Sequence, residues 1–478
     1  MQLSRVRWPF LAVALVAGAV AGAPADSERA GEAFKRGTYY AEKSDYASAI
    51  AAFTEAVRLD PNHAAAFYAR GEARRGQKDF DGAIADYTEA IRLDPKDPKA
   101  YYGRGVAWGG KRDNEKAIAD FTEVIRLHPG GGSARALRGN AYLLEGQNDK
   151  AIADLTVAIR AHPDFAHYYG GRAVAYLRKG DLDKSIEDSA TAIRLNPRDS
   201  KAYYNRGVAH RQKGELDTAI VDLTQSIRLD PESAWAYYTR GVVYGAQREW
   251  KKAVADLTEA IRLAPGFREA FFHRGCAYMG LRDYGRAIPD LSEAIRLAPG
   301  DAHAYCMRGA CLAYSDETDR AVADLTEAIR LDPGYAEAFF LRGSARGDKL
   351  QHDSAITDLT EAIRLNPKYT MAYYGRGVAR TFKGDYVEAA ADFTEVIRLD
   401  PAMDAAYRKR GLARCKNGDL DKAISDFNEA IRLNAKSAAA YYARARAYEK
   451  KGDKARSQAD FTRAKELGFK PATSGEPE

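Results

Sequence analysis

One spacing governs this chain. Proline stands at Pro61, Pro95, Pro129, Pro163, Pro197, Pro231, Pro265, Pro299, Pro333, Pro367 and Pro401, and every interval is 34 residues without insertion or deletion. Glycine keeps the same beat from Gly37 to Gly411, with Ala173 and Ala445 filling the two remaining places. A fixed period of this length means tandem copies of one small unit, none of which can bury its apolar face alone. Thirteen such units run from Ala30 to Pro471, which leaves no span for a separate catalytic domain.

Each unit reads as two helices. Between Ala100 and Pro129, apolar or aromatic residues at Tyr101, Trp108, Ala117, Ile118, Phe121, Ile125 and Leu127 fall largely at three- and four-residue spacings. The pattern breaks at Lys111-Arg112-Asp113-Asn114, which marks a turn. Pro129 then stops the second helix, because proline lacks the amide donor and restricts the residue before it. The unit's aromatic, glycine, alanine, phenylalanine and proline (Tyr101, Gly105, Ala117, Phe121 and Pro129) resemble the tetratricopeptide repeat position by position. That resemblance, to the bacterial exported type, implies an all-α fold: an α-α superhelical solenoid of thirteen 34-residue helix-turn-helix repeats, with 26 antiparallel helices and no sheet. It also implies a non-catalytic scaffold that binds protein or peptide partners.

The chain departs from that pattern in one systematic way. Where the family has leucine before the glycine, all thirteen units here carry arginine, from Arg36 and Arg70 to Arg444. Sixteen residues later, twelve units carry aspartate, as in Asp86, Asp120 and Asp460; the first unit has Ala52 instead. A row of arginines invites an anion-binding reading. A half-buried guanidinium, however, needs a carboxylate that matches its fork, and one occurs at fixed spacing on the facing helix. We therefore expect an internal ion pair, with Arg104 hydrogen-bonded to Asp120 and the contact repeated in the other units.

Both ends read as caps. Twelve units have a β-branched residue four positions before the proline beat, whereas the last has Lys465; Gln458 likewise replaces a recurrent apolar residue. Polar side chains there solvate the terminal face. At the other end, Ala33 replaces the usual aromatic. Ahead of the array, Arg5 and Arg7 precede an apolar run from Trp8 to Val20, followed by Ala21-Gly22-Ala23-Pro24-Ala25. That run is short for a membrane span and suits a secretory signal over 1–25, followed by a short linker, 26–29. The protein is expected to be exported, periplasmic or secreted; the alternative is an uncleaved N-terminal anchor. Residues 472–478 form a polar tail.

Composition excludes several classes. Lys and Arg number 73 against 67 Asp and Glu, a net +6 with no basic block, so no nucleic acid is expected. Four cysteines cannot build a disulfide scaffold, although Cys276 and Cys306 lie on adjacent first helices. Gly130-Gly131-Gly132 has no strand before it and no Gly-Lys-Ser after it, so it reads as a loosened joint and not a phosphate loop. His162 and His167 straddle a turn without the ligands to complete a metal site. No nucleophile, base and orienting group assemble, and no cofactor is implied.

What remains is an aromatic doublet that opens many first helices, such as Tyr101-Tyr102 and Phe271-Phe272. Neighbours on a helix point about 100° apart, so the first ring can pack between helices while the second faces elsewhere. By the family resemblance, the second face lines a concave groove. The candidate binding residues are Tyr102, Tyr204, Tyr238, Phe272, Phe340 and Tyr374, with Lys99, Lys201, Glu269 and Glu337 three positions before four of them. The alternative is that these rings are shared core. Other readings of the same stripe are a carbohydrate or cell-wall binder and a regulatory subunit of a separate enzyme. Nothing in the sequence fixes an oligomeric state.

Overall fold

The computed structural model describes residues 24–469. The expected signal and the polar tail lie outside those residues, apart from the edge of the signal at Pro24 and Ala25. Among the described residues there are 26 α-helices and no strand. They pair as antiparallel hairpins, one per repeat, and the first helix of each repeat begins at or close to the predicted phase: Ala64, Pro98, Gly132 and Ala166 open repeats 2 to 5. One boundary differs from expectation. The opening helix spans Pro24–Glu42, so 26–29 is its first turn and not a linker. Proline is favoured at a helix start, where its missing amide would have no partner in any case.

The described residues divide into two compact units that meet in sequence between Pro231 and Glu232. Within each unit, the two helices of a repeat pack closely because the beat glycine admits a large side chain from the facing helix. A Cβ on Gly241 would lie 2.8 Å from Leu257 Cγ and 3.3 Å from the Ala253 carbonyl oxygen. In repeat 5 the facing residue shrinks to Ser189, and there the beat position holds Ala173. The residues three to the C-terminal side of these large groups are mostly alanines, and Ala260, Ala294 and Ala362 are fully buried. Small-against-large packing in most repeats therefore sets the helix separation.

The predicted ion pair is present in all twelve units that have the aspartate. Each arginine meets its aspartate sixteen residues on at 2.6–2.8 Å. Repeat 1, with Ala52 in the aspartate's place, turns Arg36 to Glu55 in an exposed contact. Burial pushes the Asp120 carboxyl above its usual range, against the pull of Arg104. At least ten of these arginines also reach back to the preceding repeat. The free Nη1 donates to a threonine, serine or asparagine side-chain oxygen there, at 2.6–3.2 Å. Arg104, for example, holds Asp120 within its own repeat and donates to Thr88 in the one before. One planar group thus ties three helices together, a geometry that a lysine cannot copy. Repeat 5 supplies Ala190 where its neighbours have threonine, and Arg206 keeps its aspartate alone.

The turn inside each hairpin needs one residue in the left-handed region. Six repeats use glycine there, whereas Ser44, Lys78, Arg112, Arg248, Arg282, Asp316 and Leu350 adopt positive φ without it. Leu350, at φ 61°, is also one of the most exposed apolar side chains. A branched residue in this region costs about 1–2 kcal/mol. Leu350→Gly is expected to raise stability by about 1 kcal/mol in chemical denaturation, since no packing is lost to offset the relief.

The terminal cap is as expected. Gln458 and Lys465 are exposed, and the chain after the last helix returns Phe469 onto Tyr442, ring centroids 4.3 Å apart.

Candidate ligand-binding face

The first helices of successive repeats touch one another within each unit, whereas no two second helices do so comparably among the described residues. Hairpins stacked this way bend with their first helices on the inner side. Only repeats 3 and 4 of the first unit lack a close approach, and the turn between them carries Gly130, Gly131 and Gly132. That joint is not merely loose, because a Cβ on Gly132 would meet the His162 ring at 2.8 Å.

The two rings of each doublet divide the work. The first ring, which also occurs without a second at Tyr169, Tyr305 and Tyr407, lies under the guanidinium of the arginine three residues on, with centroid distances from 5.4 to 5.9 Å in eleven repeats. Shallow hollows border this layer, one lined by Tyr203, Arg206, Ile220 and Val221, another by Phe339, Arg342 and Ile356. The ladder arginine in each is already held by its aspartate, so it offers no free positive charge to an anion.

The second rings, the candidate binding residues, are all half-buried. Tyr102 and Tyr204 belong to the first unit. Tyr102 meets Phe121 edge-on at 6.0 Å. In the second unit, Tyr238 touches Trp235, Phe267 and His273, and Phe272 packs on the cluster of Ala287, Leu291 and Cys311. Phe340 lies 4.9 Å from Tyr369, and Tyr374 meets Phe393 edge-on at 5.7 Å while packing against Ala413. These rings are therefore core on one edge and surface on the other. The groove and core alternatives posed by the sequence are both partly realised in the same side chains.

Sequence reasoning missed a second set of aromatics. Phe165, Phe267, Tyr335 and Tyr369 are the last residues of their repeats; the last three pack back onto the first helix of their own repeat, whereas Phe165 stacks on Tyr168. Phe267 is buried, with Trp235 at 4.6 Å and Tyr238 at 4.8 Å, and Trp235 is 57% exposed. Tyr335 takes the His303 ring at 4.9 Å. Their recurrence two residues after the beat proline was a readable signal: Phe267 follows Pro265, Tyr335 follows Pro333 and Tyr369 follows Pro367.

The remaining candidates for chemistry are placed as follows. Cys276 and Cys306 are not bonded to each other. Cys306 is hydrogen-bonded to Tyr335, and the thiol neighbouring Cys276 belongs to Cys311. Burial pushes the Cys276 and Cys306 thiols up to about 12, so neither forms a thiolate nucleophile near neutral pH. His162 packs on Phe165, and His167 reaches the Asn140 amide at 3.4 Å. No group of three or more metal-ligating side chains occurs among the described residues. None of their helices is long and apolar enough to cross a membrane.

Tetratricopeptide repeat models match residues 34–98, 68–131, 102–166, 137–190, 238–302, 272–336 and 340–404. Related repeat models match 190–221, 209–248, 411–452 and 438–467. No curated protein matches. Among solved structures, the chain is similar to YrrB, described as a TPR protein with an unusual peptide-binding site: 28% identity over 39% of this chain and 96% of that one, TM-score 0.36. It is also similar to yeast Tom70, with 19% identity over 85% and 99% and a TM-score of 0.37. The Cut9–Hcn1 assembly gives 14% identity over 94% and 96%, with a TM-score of 0.41.

Proposed function

We propose a function that proceeds from the family: this chain belongs to the tetratricopeptide repeat family, and it acts as a non-catalytic scaffold that holds a segment of a partner protein against the inner face of its first helices. The observation that carries this reading is Trp235. A large indole left more than half exposed, yet fixed by Phe267 beneath it and Tyr238 beside it, is a pre-organised anchor. Rigid aromatics give contact area at low entropic cost, which suits an extended segment lying across several repeats. The candidate rings Tyr102, Tyr204, Tyr238, Phe272, Phe340 and Tyr374 supply the half-buried floor on which such a segment would rest. The test is site-specific photo-crosslinking from position 235 in the native cell. A partner captured there, and not from a position on the second helices such as Val387, supports the reading. Capture from Val387 alone moves binding to the outer face.

The same proposal places the protein outside the cytoplasm, periplasmic or secreted. It rests on the basic start and short apolar run ahead of Ala25. Mass spectrometry of the native protein should find a mature N-terminus near Asp26. An intact Met1 in a soluble cytoplasmic fraction would refute export while leaving the binding reading in place.

A further inference from the structure

The inner face of the second unit has an unbalanced charge. On the first helices of repeats 7 to 11, the five arginines of the ion-pair ladder are held by their aspartates. Arg346 and Arg380 join two of those same carboxylates, Arg268 lies between Glu269 and Asp301, and Lys383 pairs with Asp353. Every cation of these helices is thus neutralised. Glu337 has no ion pair and is exposed.

Its surroundings are aromatic. Glu337 stands three positions before Phe340 on one helix, a spacing that puts the two on a common face. Phe340 lies against Tyr369, and Tyr335 closes the preceding repeat beside His303. The Glu337 charge acts on both tyrosine hydroxyls and on the Cys306 thiol; together with burial it helps hold the Tyr369 hydroxyl at about 12. The carboxylate, the Tyr369 phenol oxygen and the rings of Phe340, Tyr369 and Tyr335 therefore share one patch, with the Tyr335 hydroxyl engaged by the Cys306 thiol. Ring faces and phenol oxygens are electron-rich, and an unpaired carboxylate beside them favours a cation. A guanidinium matches this set best, since it stacks on aromatic faces while its fork meets a carboxylate.

We propose that the inner face of repeats 8 to 11 receives a basic, apolar peptide segment, with an arginine side chain seated at Glu337 between Tyr335 and Tyr369. This rests on the inner-face reading above and gives it a substrate class. The equivalent positions of the first unit carry Lys99 and Lys201, so the preference belongs to the second unit. The chain's net charge of +6 opposes a basic ligand in general, so binding must come from the local patch and not from the overall field.

The experiment is calorimetric titration of the full chain at low ionic strength with three short synthetic peptides. One alternates arginine with leucine and glycine, the second carries citrulline in place of each arginine, and the third carries glutamate. The arginine peptide should bind, citrulline should weaken it about tenfold, and glutamate should abolish it. Glu337→Gln should weaken the arginine peptide about five- to tenfold with an unchanged helical spectrum, because the side chain is exposed. Glu388→Gln, an exposed change on a second helix, should have no effect. Lys368→Ala removes a positive charge from the turn beside Tyr369 and should tighten binding. Equal affinity for the citrulline peptide, tighter binding of the glutamate peptide, or indifference to Glu337→Gln would overturn the charge assignment. A photo-reactive arginine peptide separates the two readings: labelling of the inner face with the wrong charge preference defeats only this proposal, and labelling of the second helices defeats the inner-face reading as well.

Discussion

Asp358→Ala is expected to destabilise the protein by about 3–5 kcal/mol, read as a shift in the chemical denaturation midpoint. The aspartate side chain is 3% exposed and accepts from two guanidiniums at 2.7 Å, those of Arg342 (12% exposed) and Arg346 (24%). Removing the carboxylate strands both charges in a site too enclosed for water to solvate them fully. Arg342 would also lose the orientation that lets its Nη1 donate to Thr326 of the preceding repeat, so the joint between repeats 9 and 10 weakens together with the hairpin. Asp324→Ala should cost less, because its carboxylate serves one arginine and is more exposed. In a repeat array such damage can appear as local melting, so hydrogen exchange in repeats 9 and 10 is the accompanying measurement. An unchanged midpoint together with unchanged exchange would mean that the pair is solvated in solution and that the first rings and alanines alone hold the repeats together.

Such a prediction could be half made from the sequence, and the reason is physical. An arginine at the seventh position of every repeat cannot be buried alone, so a carboxylate at constant separation names its partner before any coordinates exist. The link from Arg104 to Thr88 was equally periodic, since a threonine follows nearly every aspartate by two residues. It stayed unread because it crosses between repeats, and the lateral register of one hairpin on the next is not encoded in the period itself. The same holds for the binding face. The doublets stood out because they open helices, where periodicity directs attention. Phe267, Tyr335 and Tyr369 sit in the turns after the prolines, and only the fold brings them back across the preceding helix. Burial was also hard to read. A ring such as Phe272 is placed by its neighbours from the next repeat, so its exposure depends on packing that a single unit's pattern does not contain.

That difference in burial decides which variant can test binding. Phe272→Ala removes a half-buried ring from the cluster around Leu291 and Cys311 and should cost about 2–3 kcal/mol of stability, below the cost of a fully buried phenylalanine. A binding loss in that variant would mix two causes. Trp235 separates them. Trp235 is 57% exposed and its indole rests on Phe267 without being enclosed, so Trp235→Ala should cost only about 1 kcal/mol of stability, less than Phe272→Ala. Affinity for the captured partner should nevertheless fall by about 2 kcal/mol or more, roughly thirtyfold in Kd. The double variant Trp235→Ala, Phe267→Ala should lose little further affinity, because Phe267 acts on a ligand through the indole it supports and the two contributions are not independent. If Trp235→Ala binds as the parent does while Phe272→Ala loses both stability and partner, the aromatic stripe is core throughout, and the partner must be held elsewhere on the array.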